Sequence, residues 1–523
     1  MPPRSRKPNE TARQVLPLMF LGIALVASNA NFTIVEEETS SLGVAAQPVR
    51  ETLGMVWSGN GHVGHPPLYD ILFHFWLRLT GGTFESLRVP SILFFLAGLF
   101  LLARAARRLG GPASAQAVVW LGALWPFGFH YGRLTASYAF SFFLLAGLTL
   151  AYLRYLEDQR FGRWAWFLLF AVALLWTNYF GWAILGCLAM DQFLRRRAAE
   201  GSASPAILVR TGALLCVAFV PLFQAFRGAL VSGFNFHHRP LAGLASAAFS
   251  VYSLFVSESV APWYWFLSIP ASLAILACVG LVATFAPRNA RRFLLYGAVL
   301  IVAMAVSGIL ATRHLLLISP WLLLPVGVAV GPNKSFQIRI GLPVALLMIG
   351  GIGWFGIYSR HYYSEPRFLE PWPQVAEDTA RKVQSGATLI ANNPSFFFYL
   401  TYILHAPDGG TPWKFAGLLP DQVRHPRVKS PEEWLAAGHP VGPSMIWVRG
   451  MSTSQSDRAM DEAAHELGGA CGTQTSRLMI RDPGYEWKQR IIPDMNALLW
   501  RIEVREYDCA SSGSQEIFHI PPR

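Results

Sequence analysis

The 523-residue chain is 53% hydrophobic and only 14% charged, with a mean hydropathy of +0.35, which excludes an ordinary soluble protein of this size and marks a polytopic membrane protein. Its formal charge of +12 does not signal a nucleic-acid partner, because Lys and Arg fall in short clusters between apolar runs and no basic-aromatic patch accompanies them. The predicted organisation is a helical membrane domain over 1–359 and, where the composition turns polar, a soluble domain over 360–523.

The first apolar segment, 15–35, is about long enough to cross a bilayer, and Arg4, Arg6, Lys7 and Arg13 before it hold its start in the cytoplasm. Ser28-Asn29-Ala30 also fits a small-x-Ala cleavage site, so a signal peptide is the alternative. At the end of this segment stand Glu36, Glu37 and Glu38. Three adjacent carboxylates repel one another and resist desolvation, so the run is either a solvated cap or an acid cluster kept for chemistry.

The next apolar stretch, 66–79, is short, begins with Pro-Pro and carries His74 and Arg78, so it reads as an amphipathic helix on the outer surface. The stretch 241–255 reads the same way. Further spans are predicted at 88–105, 113–131, 135–155, 164–177, 180–193, 206–227, 263–285, 291–309, 314–330 and 338–358. The connections 104–108, 154–163, 195–197, 288–292 and 334–339 are all basic, as cytoplasmic loops should be. With about eleven spans, the soluble domain lies outside. The pair 164–177 and 180–193 is separated by Thr177-Asn178-Tyr179-Phe180-Gly181, which favours two short helices over one long one.

In the soluble part, 387–392, 444–449, 477–481 and 501–507 read as strands, with 394–405 and 457–467 as helices, giving a small α/β layer. No glycine-rich phosphate loop or metal-ligand spacing occurs there, so the domain is expected to cover a membrane site or receive an acceptor. Cys187, Cys216 and Cys278 fall in spans, whereas Cys471 and Cys509 form the single pair available to an oxidising compartment.

On this topology Glu36–Glu38, His62, His65, Arg133, His237, His238, Arg239, Arg313 and His314 all gather at the outer face. Carboxylates beside cations suit transfer from an anionic lipid donor: a base takes the acceptor proton and positive groups hold the departing phosphate. Taken singly, Arg313 also fits an interfacial anchor and His237-His238-Arg239 a solvated loop.

The order Glu37-Glu38, Ser41-Leu42, His65-Pro66-Pro67-Leu68-Tyr69 and Leu87-Arg88-Val89-Pro90-Ser91 resembles the opening of the GT-C glycosyltransferases, above all the protein O-mannosyltransferase and aminoarabinose transferase branch. Thr177-Asn178-Tyr179 is similar to that family's Thr-His-Tyr stretch, and Arg313-His314-Leu315-Leu316 to its Arg-Tyr-Leu-Leu segment. The resemblance implies an inverting transferase, with or without metal, that uses a polyprenyl-phosphate sugar at the outer membrane face of a cell envelope, such as a bacterial inner membrane. Glu37 takes the place of the family's catalytic aspartate and Glu38 that of its neighbouring glutamate, with Glu36 a competitor because the run fixes the register only to within one residue. Substrate contacts are expected from His65, Arg88, Arg133, Tyr138, Asn178, His237, Arg239 and Arg313. The acid that often precedes the family's tyrosine is missing from Tyr131-Gly132-Arg133-Leu134-Thr135-Ala136-Ser137-Tyr138.

No cofactor is required by this pattern, although a divalent metal held by His62, His65 and the glutamates stays open. The acceptor, whether lipid, glycan or protein, is not specified. Two other classes fit the same outer cations: a transporter or flippase of lipid-linked sugars, which needs polar groups deep in several spans, and a non-catalytic assembly protein on the same fold.

Overall fold

The computed structural model describes residues 8–29, 36–58, 65–82, 86–198, 204–234, 240–260, 264–307, 312–330, 335–359, 372–393, 425–450, 454–471, 473–480 and 501–509, with isolated positions between them. The chain forms two compact units. One comprises Met1–Ala30 with Val44–Tyr363, the other Asn31–Gly43 with Ser364–Arg523, so the acid run groups with the C-terminal unit.

The first unit is helical throughout its described residues. Its elements are α1 (Pro8–Ala27), the end of α2 (Glu36–Ala46), α3 (Val49–Ser58), α4 (Leu68–Thr80), α5 (Val89–Gly110), α6 (Pro112–Leu124), α7 (Pro126–Tyr131), α8 (Ser137–Glu157), α9 (Phe161–Leu175) and α10 (Gly181–Arg197). They are followed by α11 (Pro205–Phe219), α12 (Phe223–Phe234), α13 (Pro240–Val256), α14 (Trp265–Phe285), α15 (Arg288–Val306), α16 (Leu315–Val330) and α17 (Leu342–Ser359). Among the described residues seven helical stretches are long and apolar enough to cross a membrane, including α5, α8, α14, α15 and α16. Shorter apolar stretches accompany them at Gln14–Ala27, Pro112–Leu124, Phe161–Leu175 and Ala247–Val256. This is an integral membrane protein.

Proline and glycine shape the bundle where hydropathy alone reads straight spans. The stretch 113–131 breaks at Trp125, held extended (φ −81°, ψ 110°) by the proline that opens α7, and its indole donates to the Leu254 carbonyl at 2.6 Å. The first span also stops earlier than its hydropathy suggests: α1 ends at Ala27. Close helix contact rests on small residues. A Cβ on Gly98 in α5 would stand 2.5 Å from Phe142 of α8, and one on Gly327 in α16 would stand 2.3 Å from Val118 of α6.

The helix ends carrying the basic loops are tied by charge. Arg108 pairs with Glu157, and Arg163 with Asp158 at 3.4 Å. Deeper in, the buried Asp191 of α10 accepts from Tyr152 of α8 (2.5 Å), Tyr296 of α15 (2.8 Å) and Arg195 (2.6 Å), with Arg292 at 3.5 Å. Gln192 donates to the Tyr152 hydroxyl at 2.9 Å. A buried carboxylate is costly unless its oxygens are satisfied in this way. The network joins three helices where the hydropathy pattern promised few polar groups.

In the second unit α18 (Trp372–Gln384) precedes β1 (Thr388–Ala391), β2 (Val428–Lys429), β3 (Ser444–Arg449), β4 (Thr473–Ile480) and β5 (Arg501–Asp508). The sheet order is β2-β1-β3-β5-β4, with β1 parallel to β2 and β3, and β5 antiparallel to both its neighbours. Ile390, Trp434, Met445, Trp447, Met460 and Leu467 form its core. Both indoles find acceptors, Trp447 on the Met460 carbonyl and Trp434 on the Pro440 carbonyl, each at 3.0 Å. Cys471, after the helix Ser454–Ala470, is disulfide-bonded to Cys509, after β5, with their Cα atoms 4.2 Å apart.

Candidate functional site

The acid run opens helix α2, so Glu36, Glu37 and Glu38 occupy its first turn. Unpaired backbone N–H groups and the helix dipole favour carboxylates there, which accounts for acidity but not for burial. Glu38 is nonetheless only 1% exposed. The side chains of Glu36 and Glu37 lie outside the described residues, as do His62, His237, His238 and Arg239.

Within the membrane unit, hydrogen bonds gather most of the other expected residues at the end away from the basic loops. The Leu68 amide at the start of α4 donates to the Trp176 carbonyl at 2.9 Å, joining the His65-Pro66-Pro67 segment to the turn after α9. Tyr69 shares a 3.1 Å hydrogen bond with Ser91 in the first turn of α5, beside Arg88. Thr135 donates to the Leu87 carbonyl at 3.2 Å, bringing the segment that carries Arg133 and Tyr138 to the same place. The His314 ring lies 6.4 Å from Tyr138 and 5.9 Å from Phe180, with Arg313 alongside in the same helical turn.

Several of these side chains also hold structure. Arg88 donates to Asn29 Oδ1 at 3.1 Å, and Arg133 to Ser28 Oγ at 2.5 Å while stacking on Phe129 at 4.9 Å. Both guanidinium groups are buried and grip consecutive residues at the end of α1. Asn178 accepts from the Phe180 amide at 3.0 Å and so shapes its own turn.

Asp70 is the residue sequence reading missed. It sits in the first turn of α4, fully buried, with Asp70 Oδ2 3.6 Å from His65 Nδ1. At thirteen residues α4 is about 20 Å long, too short to span, and it buries Tyr69, Asp70, Phe73, His74 and Leu77 while exposing Leu72, Phe75 and Leu79. Burial pushes the Asp70 carboxyl up to about 6, and His65 partly offsets this. An acid two residues after Pro-Pro-Leu, on an otherwise apolar helix, was the available signal. Among the described residues no group of three His, Cys, Asp or Glu side chains is placed to hold a metal ion.

The family model for dolichyl-phosphate-mannose-protein mannosyltransferase matches residues 64–223, a stretch that includes His65, Asp70, Arg88, Arg133, Tyr138 and Asn178. Among solved structures, ArnT from Cupriavidus metallidurans bound to undecaprenyl phosphate superposes with a TM-score of 0.53, covering 98% of this chain and 100% of that chain at 13% identity. The apo state of the same protein gives a TM-score of 0.41 at 16% identity, covering 95% of this chain and 98% of that chain. AglB from Archaeoglobus fulgidus, in complex with an inhibitory peptide and a dolichol-phosphate, gives 0.46 at 10% identity, covering 90% of this chain and 73% of that chain. No curated protein sequence matches the chain. The chain is thus similar to that mannosyltransferase family over residues 64–223 and shares its fold with ArnT.

Proposed function

We propose that the chain transfers a sugar from a polyprenyl-phosphate donor to a lipid, glycan or protein acceptor at the outer face of a bacterial inner membrane. The observation that carries this reading is the assembly of His65, Arg88, Arg133, Tyr138 and His314 at one end of a helical bundle. Cations grouped there suit the phosphate that leaves with the lipid. The undecaprenyl phosphate bound to ArnT, which has the same fold, supports the donor class.

In this reading Glu37 removes the proton from the acceptor hydroxyl or amine, and its displacement of the lipid phosphate inverts the sugar carbon. Glu38 orients the acceptor, a role its burial supports, because a buried carboxylate in the first turn of a helix is more than that turn requires. Arg88, Arg133 and Arg313 balance the charge that grows on the donor phosphate.

The test is mass spectrometry of lipids retained by the protein purified from its native membrane, followed by single-turnover transfer from the lipid recovered. A co-purifying polyprenyl-phosphate sugar, consumed on addition of acceptor extract, is the expected result. Retention of lipid-linked sugar without consumption, but with movement across proteoliposome membranes, would instead favour a flippase.

A further inference from the structure

We propose that Asp70 is a positioning residue for His65, engaging the Nδ1 side of the imidazole so that Nε2 is presented to the phosphate of the lipid donor. This deepens the proposed function and rests on it.

The geometry is asymmetric. His65 Nδ1 lies 3.3 Å from the Pro66 carbonyl and 3.6 Å from Asp70 Oδ2. Both contacts of the ring run through the same nitrogen. The side chain of His65 is 32% exposed, whereas that of Asp70 is 0% exposed. Neither carboxylate oxygen of Asp70 has a hydrogen-bond partner among the described residues, so the imidazole is the polar group that faces it.

A buried carboxylate with no hydrogen bond is costly, and a helix that needed only packing would place an apolar residue there. Tyr69 and the Leu68 amide fix the neighbouring backbone through Ser91 and Trp176, which gives the pair a rigid mounting. With Nδ1–H turned to protein acceptors, Nε2 is the nitrogen left for a ligand, and it donates to a phosphate when the ring is an imidazolium, both nitrogens then being donors. The second partner fixes ring orientation, as it does for histidines in metal and catalytic sites.

The experiment measures binding of undecaprenyl phosphate to the full-length protein in nanodiscs, by quenching of intrinsic tryptophan fluorescence, with thermal unfolding recorded in parallel. Asp70→Asn and His65→Ala are each expected to weaken binding about tenfold, the scale of one hydrogen bond to a charged group. The double variant should bind no more weakly than His65→Ala alone, because Asp70 acts through His65. His65→Gln, whose amide nitrogen falls near the Nε2 position, should keep most of the binding, while His65→Asn, which mimics Nδ1, should lose it.

Unchanged binding in Asp70→Asn, or a further loss when Asp70→Asn is added to His65→Ala, would overturn the proposal. So would the reverse order of the Gln and Asn variants, which is what a purely structural Nδ1 contact predicts. The His65 pair needs no change at Asp70 and tests the idea even if an Asp70 variant misfolds. If the wild-type protein itself does not bind undecaprenyl phosphate, the donor reading fails and this inference fails with it; loss confined to the variants separates the two.

Discussion

Arg88 and Asn29 meet across 3.1 Å inside the membrane unit, joining the start of α5 to the end of α1 and burying a guanidinium on a side-chain amide fifty-nine positions away. Arg133 repeats the arrangement one residue earlier, on Ser28. The two arginines expected to meet donor phosphate are therefore also what secures the residues that follow α1. Arg88→Ala should lower stability by roughly 1.5–3 kcal/mol, since it removes a buried charged hydrogen bond and strands Asn29. Thermal unfolding and transfer should fall together; lost transfer at full stability would assign Arg88 to substrate alone.

Asp70 should trade stability for function. Its carboxyl is raised from 3.8 to about 6 in the fold, so the protonated form is favoured and the stabilisation it brings is lost as pH rises through 6. At pH 8 the penalty relative to a neutral side chain is up to about 3 kcal/mol, from 1.36 kcal/mol per pH unit over that interval. Asp70→Asn should accordingly unfold at a higher temperature than wild type at pH 8, with the gap closing towards pH 4. An equal gap at both pH values would mean that ionisation of Asp70 is not what limits stability.

The Asp191 network makes a contrasting prediction. Asp191→Ala leaves Tyr152, Tyr296, Arg195 and Arg292 facing a missing acceptor, and breaking a buried ion pair costs about 3–5 kcal/mol. The variant should express poorly or melt early while any folded fraction keeps normal affinity for undecaprenyl phosphate. Weakened affinity in a stably folded variant would show that the network reaches the site.

Hydropathy and charge made the helices legible because bilayer burial acts on composition, which a sequence displays. Strands β1 and β3 were legible for a similar reason, as runs such as Met445-Ile446-Trp447-Val448 are buried on both faces, and β5 by its alternation, with buried Ile502 and Val504 alternating with partly exposed charged residues. Strand β2, only Val428–Lys429, offers too few residues for a period to show. The break at Trp125 was written in Pro126 but hidden by the apolar residues around it. Asp70 and Asp191 escaped for another reason: each is one acid in an apolar helix, and only the fold shows that His65 faces one and two tyrosines and two arginines surround the other. The order of His65, Arg88, Arg133 and Arg313 was readable; that Arg88 and Arg133 hold α1 was not.

The bond between Cys471 and Cys509 should be found by non-reducing peptide mapping, with neither residue alkylated before reduction. Cys187, Cys216 and Cys278, all free in the fold, should react with alkylating agent once the protein is denatured. Removing the bridge is expected to destabilise the C-terminal unit by about 2–4 kcal/mol. A reporter fused after Arg197 or Arg292 should read as cytoplasmic, and one within the C-terminal unit as external; a cytoplasmic C-terminal unit would contradict both the orientation and an oxidising environment for the bridge.

The acid run at the start of α2 is the centre of the account. The decisive measurement is transfer from a polyprenyl-phosphate sugar by Glu36→Gln, Glu37→Gln and Glu38→Gln, each assayed beside donor binding and thermal unfolding. A general base contributes about a hundredfold to ten-thousandfold, so Glu37→Gln should lose nearly all transfer with binding and stability intact, and Glu36→Gln should be milder. Failure of Glu36→Gln alone would shift the base by one residue and leave the mechanism standing. Near wild-type transfer in all three variants would contradict it.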